Sequence, residues 1–333
     1  MNVELPSGIA TGVGSLPHRD ARAAAEFVLT VTPDLPAVPS LPRRSPAEGM
    51  IAQAVVGIAG ISLGQYGAIG VDVASIDLDA PVTTDLDHDA FGGLRAFVAA
   101  AQGRRAPIKW QSVGPVTLGL ALQRAGLPQE LAFDIAARAV RDRVRAIHRY
   151  LCDELPGCPQ VLMIDEPSLP EVHQRDAPLA PDTAIDLVSG ALAPLEASVM
   201  TGVHCCGEAD WASVLAAGPA ILSMPVSPGI VNVAGYLARF LDDGGWIMWG
   251  AVPTDSIVPT SAERPWRELS DVWCQLVNAG CDAIRLRRQA LVSPACGLGL
   301  HGPAVANQAF KVVRELSHRV HSQAVATRLT IGA

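Results

Sequence analysis

Aromatic residues are scarce in this sequence, at 5% of its 333 positions. The core must therefore be built mainly from Ala, Val, Leu and Ile, and the 49% hydrophobic share is ample for that. No basic run with interleaved aromatics occurs, and the net charge is -8. Both features argue against a nucleic-acid or anionic-membrane surface. No stretch reaches the roughly 18 uninterrupted apolar residues that a membrane span needs. The opening "MNVELPSGIATGVGSLPHRD" lacks a basic n-region and a sustained apolar h-region, so a cytoplasmic location is expected. There, seven irregularly spaced cysteines read as reduced thiols rather than as a disulfide framework. The phosphate-cradling pattern GxxxxGK[ST] is also missing, so P-loop chemistry is not indicated.

What the chain does have is a rhythm. Short apolar runs alternate with helical segments. "GIATGVGSLP" (8–17) precedes the Ala-rich "DARAAAEFVLTV", and "APIKWQSVGPVTLG" (106–119) ends a strand in a Gly-Pro turn. Charges at helical spacing mark 132–155 as a long amphipathic helix. "QVLMIDEPSLP", "SVMTGVHCC", "AILSMPVS", "WIMWGAVPTD" and "AIRLRRQALVSPACGL" carry further strands, with helical stretches between them. In 34–95, "DLPAVPSLP" and "VDVASIDLD" are weaker strand candidates, because Pro and Asp disfavour ladders. Strands alternating with helices give a parallel sheet. About eight such units over 1–333 predict one (β/α)8 TIM barrel domain, with a doubly wound open sheet as the competing architecture.

The unusual side chains gather at predicted strand ends, which all open onto one face of such a barrel. His204 and Cys206, two residues apart on a strand, point the same way. Cys296, in the "PACGL" turn, is a third donor from another strand end. Imidazole and thiolate form a zinc-type set, and three protein ligands with one open position describe a catalytic site. The bland reading is a buried apolar strand that happens to carry cysteines. Cys152, Cys158, Cys274 and Cys281 read as structural. His18, His173 and His301 are loop histidines, and His18 is the strongest of them for a catalytic contact with substrate. Asp165 and Glu166 end an apolar strand and point opposite ways: one can face the pocket, where a carboxylate suits a substrate ammonium group, and the other can lock a neighbouring loop, with both kept as candidate substrate contacts.

"GVGSLP", "VGPVTLG", "MIDEPSLP", "GVHCCG" and "SPACGL" occur in an order and spacing that resemble the catalytic barrel of cobalamin-independent methionine synthase. That barrel belongs to a wider group with uroporphyrinogen decarboxylase and corrinoid-linked methyltransferases. The resemblance runs from about Gly12 to the last helix. It implies zinc-dependent transfer of a methyl group to a thiol, homocysteine in the family, as in methionine biosynthesis. It also implies His204, Cys206 and Cys296 as zinc ligands, Asp165 as the holder of the amino group, and Ser15 as a carboxylate contact.

Two departures stand out. Pro225 occupies the expected place of a glutamate ligand, which leaves water, Glu208 or Cys205 for the fourth position, or no metal at all. "PRRSPAEGM" replaces a substrate-binding glutamate region; its Arg43 and Arg44 suit a carboxylate or phosphate, and Glu48 aligns poorly. The chain has no room for the second, N-terminal barrel of the long synthases. Its methyl donor is therefore expected to be a corrinoid, including one on a partner protein, or a folate. Competing readings are a metal-free lyase using Arg43, Arg44, Arg285, Arg287 and Arg288, and a binding protein with inherited motifs.

Overall fold

The computed structural model describes residues 5–77, 80–172, 174 and 177–331, without the side chains of 327–331; His173 lies outside them. The elements run α1 (Ala21–Val31), α2 (Met50–Val55), β1 (Ile61–Leu63), β2 (Ile69–Val71), α3 (Gly92–Ala100), β3 (Ile108–Val113), α4 (Pro115–Arg124) and α5 (Gln129–Glu154). Then come β4 (Gln160–Asp165), α6 (Leu169–Val172), α7 (Pro181–Leu192), β5 (Met200–His204), α8 (Trp211–Ala216), β6 (Ile221–Pro225) and α9 (Ala234–Asp242). The series ends with β7 (Trp246–Val252), α10 (Glu263–Asn278), α11 (Ala283–Arg288), β8 (Ala290–Pro294) and α12 (Pro303–Ile331).

Strands β3 to β8 pair in parallel and in sequential order. That order excludes the doubly wound alternative, whose strand order reverses part-way. The sheet curls, but regular pairing stops at six strands. It is a half-barrel, not the closed eight-stranded barrel expected from the repeat count. Extended segments 8–16 and 36–40 cover the space between its edges, joined by isolated parallel bridges. Thr11 N donates to Val292 O at 2.9 Å, Val38 N to Lys109 O at 2.7 Å, and Leu16 N to Ser40 O at 2.9 Å. In 36–40, Pro36 and Pro39 account for the irregularity, since a proline has no amide hydrogen to give a ladder. Interior side chains take over part of that bonding: Thr11 Oγ1 donates to Leu35 O, Gln111 Nε2 to Val38 O and Lys109 Nζ to Val13 O. "VDVASIDLD" contributes only the end of β2, which forms a small antiparallel hairpin with β1.

Period-two alternation sorts the strand residues. Leu162, Ile164, Val203, Leu222, Met224 and Trp249 pack outward into the main core with the helices. Val161, Met163, Ile221, Met248 and Leu291 turn inward with Ile9 and Leu35 into a second apolar cluster. Helix α5 buries Ala132, Phe133, Ala136, Ala139, Val140, Val144, Ile147 and Leu151, the three-and-four spacing of one face. Asp20 caps α1 by accepting from Ala23 N at 2.8 Å. No helix among the described residues is long and apolar enough to cross a membrane.

Candidate metal centre

Inward alternation carries three polar side chains to the C-terminal rim of the half-barrel. Asp165 ends β4 and His204 ends β5, and the two are register partners. Ser223 on β6 pairs with His204. The chain then leaves β5 through Cys205 and Cys206, while Cys296 lies two residues beyond β8. The ligand atoms of His204, Cys206 and Cys296 all lie within 4.8 Å of one another. A tetrahedral zinc, at about 2.0–2.3 Å from N and S donors, needs ligand atoms roughly 3.5–4 Å apart, so the spread is about an ångström from fitting.

His204 is 4% exposed, and its Nδ1 lies 2.8 Å from Ser223 Oγ. Its Nε2 is buried without a partner. A neutral imidazole that gives its Nδ1 hydrogen to Ser223 offers an Nε2 lone pair to an ion. The thiols form a pair: the hydrogen bond from Cys296 lowers the pKa of Cys206, and that same bond, with burial, raises Cys296. Two thiols this close can both bind a divalent cation as thiolates, releasing their protons. Orphaned Nε2 and paired thiols thus fit zinc, and its chemistry suits a nitrogen-sulfur donor set.

Neither proposed fourth ligand joins this cluster. Cys205 is fully buried, donates to Gly207 O and has its pKa pushed up to about 12 by burial. Successive residues on an extended chain face opposite ways, so Cys206 inside means Cys205 outside. The Glu208 carboxylate sits against Gly229, in the turn after β6. The ligand set among the described residues is therefore the three groups alone.

A cavity of about 400 Å³ opens beside these ligands. Its lining includes Asp165, Ser15, His204, Cys206 and Cys296, and adds Glu48, Gln53, Gln111 and Ser112. Residues from distant parts of the chain thus meet as the strand-end positions predict. Asp165 is 8% exposed, and its Oδ1 is buried without a partner. Burial raises its pKa, while His204 and Lys109 oppose that shift. Ser15 Oγ accepts from Gly299 N at 3.2 Å. The stretch 297–302, "GLGLHG", has GxGxxG spacing after a strand and before a helix. A Cβ at Gly297 or Gly299 would crowd Ser15 Oγ, so these two glycines seat Ser15 at the cavity wall.

Three other expected contacts lie elsewhere. Glu166 is fully buried, and its two oxygens accept from Val116 N at 2.8 Å and Thr117 N at 2.7 Å, at the start of α4. Gly114 makes that contact possible, because a Cβ there would overlap the carboxylate. The "VGPVT" and "IDEP" motifs are therefore two halves of one helix-capping interaction rather than a substrate contact for Glu166. Burial pushes its pKa up to about 7 against those hydrogen bonds. Arg44 bonds Glu48 at 2.5 Å and Asp89 at 2.8 Å, outside the cavity lining. His18 packs on Phe27 at 5.0 Å between ring centroids, also outside that lining, with its pKa lowered by burial.

Glu48 is 1% exposed and takes Leu41 N at 2.8 Å, so it fixes the 41–48 turn at the cavity edge. Arg285, Arg287 and Arg288 sit on α11, before β8, at the end of the sheet away from the cavity. Sequence reasoning passed over Ser223, although it stands two positions before Pro225 on the strand beside His204. Gln111 and Ser112 were visible as polar residues in an apolar strand.

No protein-family model matches the chain, and no curated protein matches it in sequence. Its fold is shared. A B12-independent methionine synthase from Shewanella sp. W3-18-1, solved in complex with selenomethionine, superposes with a TM-score of 0.66 at 14% identity. The match covers 96% of this chain and 99% of that one. At this identity the likeness is one of α/β fold. A proposed lyase/mutase from Burkholderia cenocepacia J2315 matches at a TM-score of 0.38 and 14% identity, covering 93% of this chain and 81% of that one.

Proposed function

We propose that this chain is a zinc-dependent alkyltransferase that moves a methyl group onto a small, homocysteine-like thiol. The observation that carries the reading is the trio His204, Cys206 and Cys296 beside a cavity that also holds an unpartnered buried carboxylate. Zinc held by these three would keep an open position and would hold an acceptor thiol as thiolate at neutral pH. Ser223 fixes the His204 ring, so the ligand nitrogen is aimed before any ion arrives. Asp165 offers Oδ1 to a cationic group of a substrate, and Ser15 offers its hydroxyl hydrogen to an anionic one. Both sit on the walls of the cavity that opens on the ligands, which orients a bound thiol for in-line displacement.

The lyase reading wants arginines around an acidic substrate, and among the described residues no arginine lines this cavity. The test is metal content and transfer together. Reduced protein supplied with zinc is expected to retain about one ion per chain, and Cys296→Ser is expected to lose it. Thiol methylation is then followed with methyl iodide, methylcobalamin and methyltetrahydrofolate as donors. Wild-type protein that retains no zinc under these conditions overturns the reading.

A further inference from the structure

We infer that Gln111 is a specificity-determining residue of this cavity: together with Ser15, its side-chain amide takes the carboxylate of an amino-acid thiol. The inference rests on the reading of the cavity as a thiol-acceptor site and adds a contact to that site. Gln111 lies on β3, two residues after the fully buried Lys109 and on the same inward side. Partners at both ends fix which way its amide points. The Lys109 ammonium, 3.3 Å from Oε1, only donates, and Val38 O, 2.8 Å from Nε2, only accepts. The flipped amide would set donor against donor and acceptor against acceptor. One Nε2 hydrogen therefore goes to Val38, and the other has no taker among the described residues.

Gly14 brings this amide and Ser15 together. A Cβ at Gly14 would lie 2.3 Å from Gln111 Nε2, so the amide rests on the backbone immediately before Ser15. The φ of +146° at Gly14 is a second reason for glycine there. Ser15 Oγ accepts from Gly299 N, which leaves its hydroxyl hydrogen to donate. Two neutral donors thus stand side by side on the cavity wall.

Asp165 faces the same cavity from the next strand, paired in register with Val113, two residues beyond Gln111. A zwitterion with neighbouring ammonium and carboxylate groups matches this arrangement. Its ammonium meets the unpartnered Oδ1 of Asp165, and its carboxylate meets Ser15 Oγ and Gln111 Nε2. Lys109 sharpens the preference. Its hydrogen bond to Oε1 polarises the amide and makes the remaining N–H a better donor. A substrate cation at Oε1 would instead face that ammonium. A site built to hydrogen-bond a substrate group discriminates strongly against an analogue without it, because the unmatched polar groups are left unpaired.

The test uses the full-length chain, metal-free and zinc-loaded, with ligands that need no chemistry. Calorimetry compares L-methionine with 3-(methylthio)propylamine, which lacks the carboxylate, and with 4-(methylthio)butanoate, which lacks the ammonium. Wild-type protein should bind L-methionine tightest. Gln111→Met keeps the side-chain length and removes the amide. It should weaken L-methionine and the butanoate about tenfold or more, and leave the amine within about twofold. Gln111→Glu sets a carboxylate against that of the ligand, and should weaken L-methionine further while the amine binds at least as well as to wild type. A purely structural role for Gln111 would weaken all three ligands alike, and that result overturns the inference. If Gln111→Met does not fold, Gln111→Asn, which withdraws the amide by one methylene, should sort the ligands in the same way. Wild-type protein that binds none of the three, or the amine as tightly as L-methionine, also overturns it. Zinc retention and thiol methylation are read separately. Methylation of a plain alkanethiol as fast as homocysteine, with no sorting of the ligands, removes the Gln111 contact and leaves alkyl transfer standing. Loss of zinc and of all transfer, with the ligands still sorted, removes alkyl transfer and leaves the carboxylate contact.

Discussion

Replacing Ser223 with alanine tests whether a neighbouring strand aims the metal ligand. The hydroxyl lies 2.8 Å from His204 Nδ1, and the two residues are 1% and 4% exposed. With Nε2 on zinc, the neutral ring must keep its proton on Nδ1. In Ser223→Ala that donor has no acceptor and little access to water. A buried donor left without a partner costs about 1–3 kcal/mol. Metal-free protein escapes part of this cost, because the ring can move its proton to Nε2. The difference falls on zinc binding, and roughly 1.4 kcal/mol per tenfold makes the expected loss about 5- to 150-fold in affinity. The general effect of removing such a supporting hydrogen bond, about 10- to 100-fold, lies inside that range. Competition against a chromogenic chelator at pH 7.5 measures it. Ser293→Ala is the control: it removes an equally buried hydroxyl, but one that bonds its own neighbour's carbonyl, Pro294 O at 2.9 Å. Unchanged zinc affinity in Ser223→Ala, alongside a large loss in His204→Ala, would refute the orientation argument while keeping the ligand.

Three further outcomes follow from the geometry. Cys206→Ser, like Cys296→Ser, should empty the site, because serine is a far weaker zinc ligand than thiolate; metal analysis after desalting reads this directly. Gly202→Ala should destabilise the fold by about 1–3 kcal/mol in urea melts, since its Cβ would lie 2.6 Å from Met163 Sδ and 2.7 Å from the Ile221 carbonyl. Lys109 has a pKa lowered by burial to about 8, from 10.5 in an unfolded chain. Between those values the unfolded state binds more protons, so stability should rise with pH from about 8 to 10.5, by up to roughly 3 kcal/mol. Lys109→Met should remove that rise, and a wild-type-like slope in the variant would show that the buried ammonium is not its source.

Much of the candidate site was legible because a parallel half-barrel turns strand ends into one surface. His204, Cys206, Cys296, Asp165 and Ser15 were each visible at the end of an apolar run, and they meet at one cavity. That one of Asp165 and Glu166 would lock a neighbouring segment was legible, but only the approach of α4 decides that it is Glu166 and removes it from the substrate contacts. Arg44 was misread although one partner, Glu48, stands four positions on; the other, Asp89, lies 45 positions away and only the fold brings it in. The closed barrel was overcounted by two strands: 36–40 is interrupted by Pro36 and Pro39, and 8–16 pairs only through isolated bridges.

By itself, the sequence determined the alternation of apolar runs and amphipathic helices, and with it the parallel sheet. It also determined which chemistry-bearing residues follow those runs, because hydrophobic periodicity and turn residues are local properties of the chain. The tertiary structure decided what those residues touch. It placed Ser223 behind His204, sent Cys205 and Glu208 away from the ligand trio, and left Asp165 with an open oxygen in a cavity that has no cationic side chain among its described lining. Those outcomes depend on strand register and on which side chains share a buried volume, and both are set by packing between segments far apart in the chain.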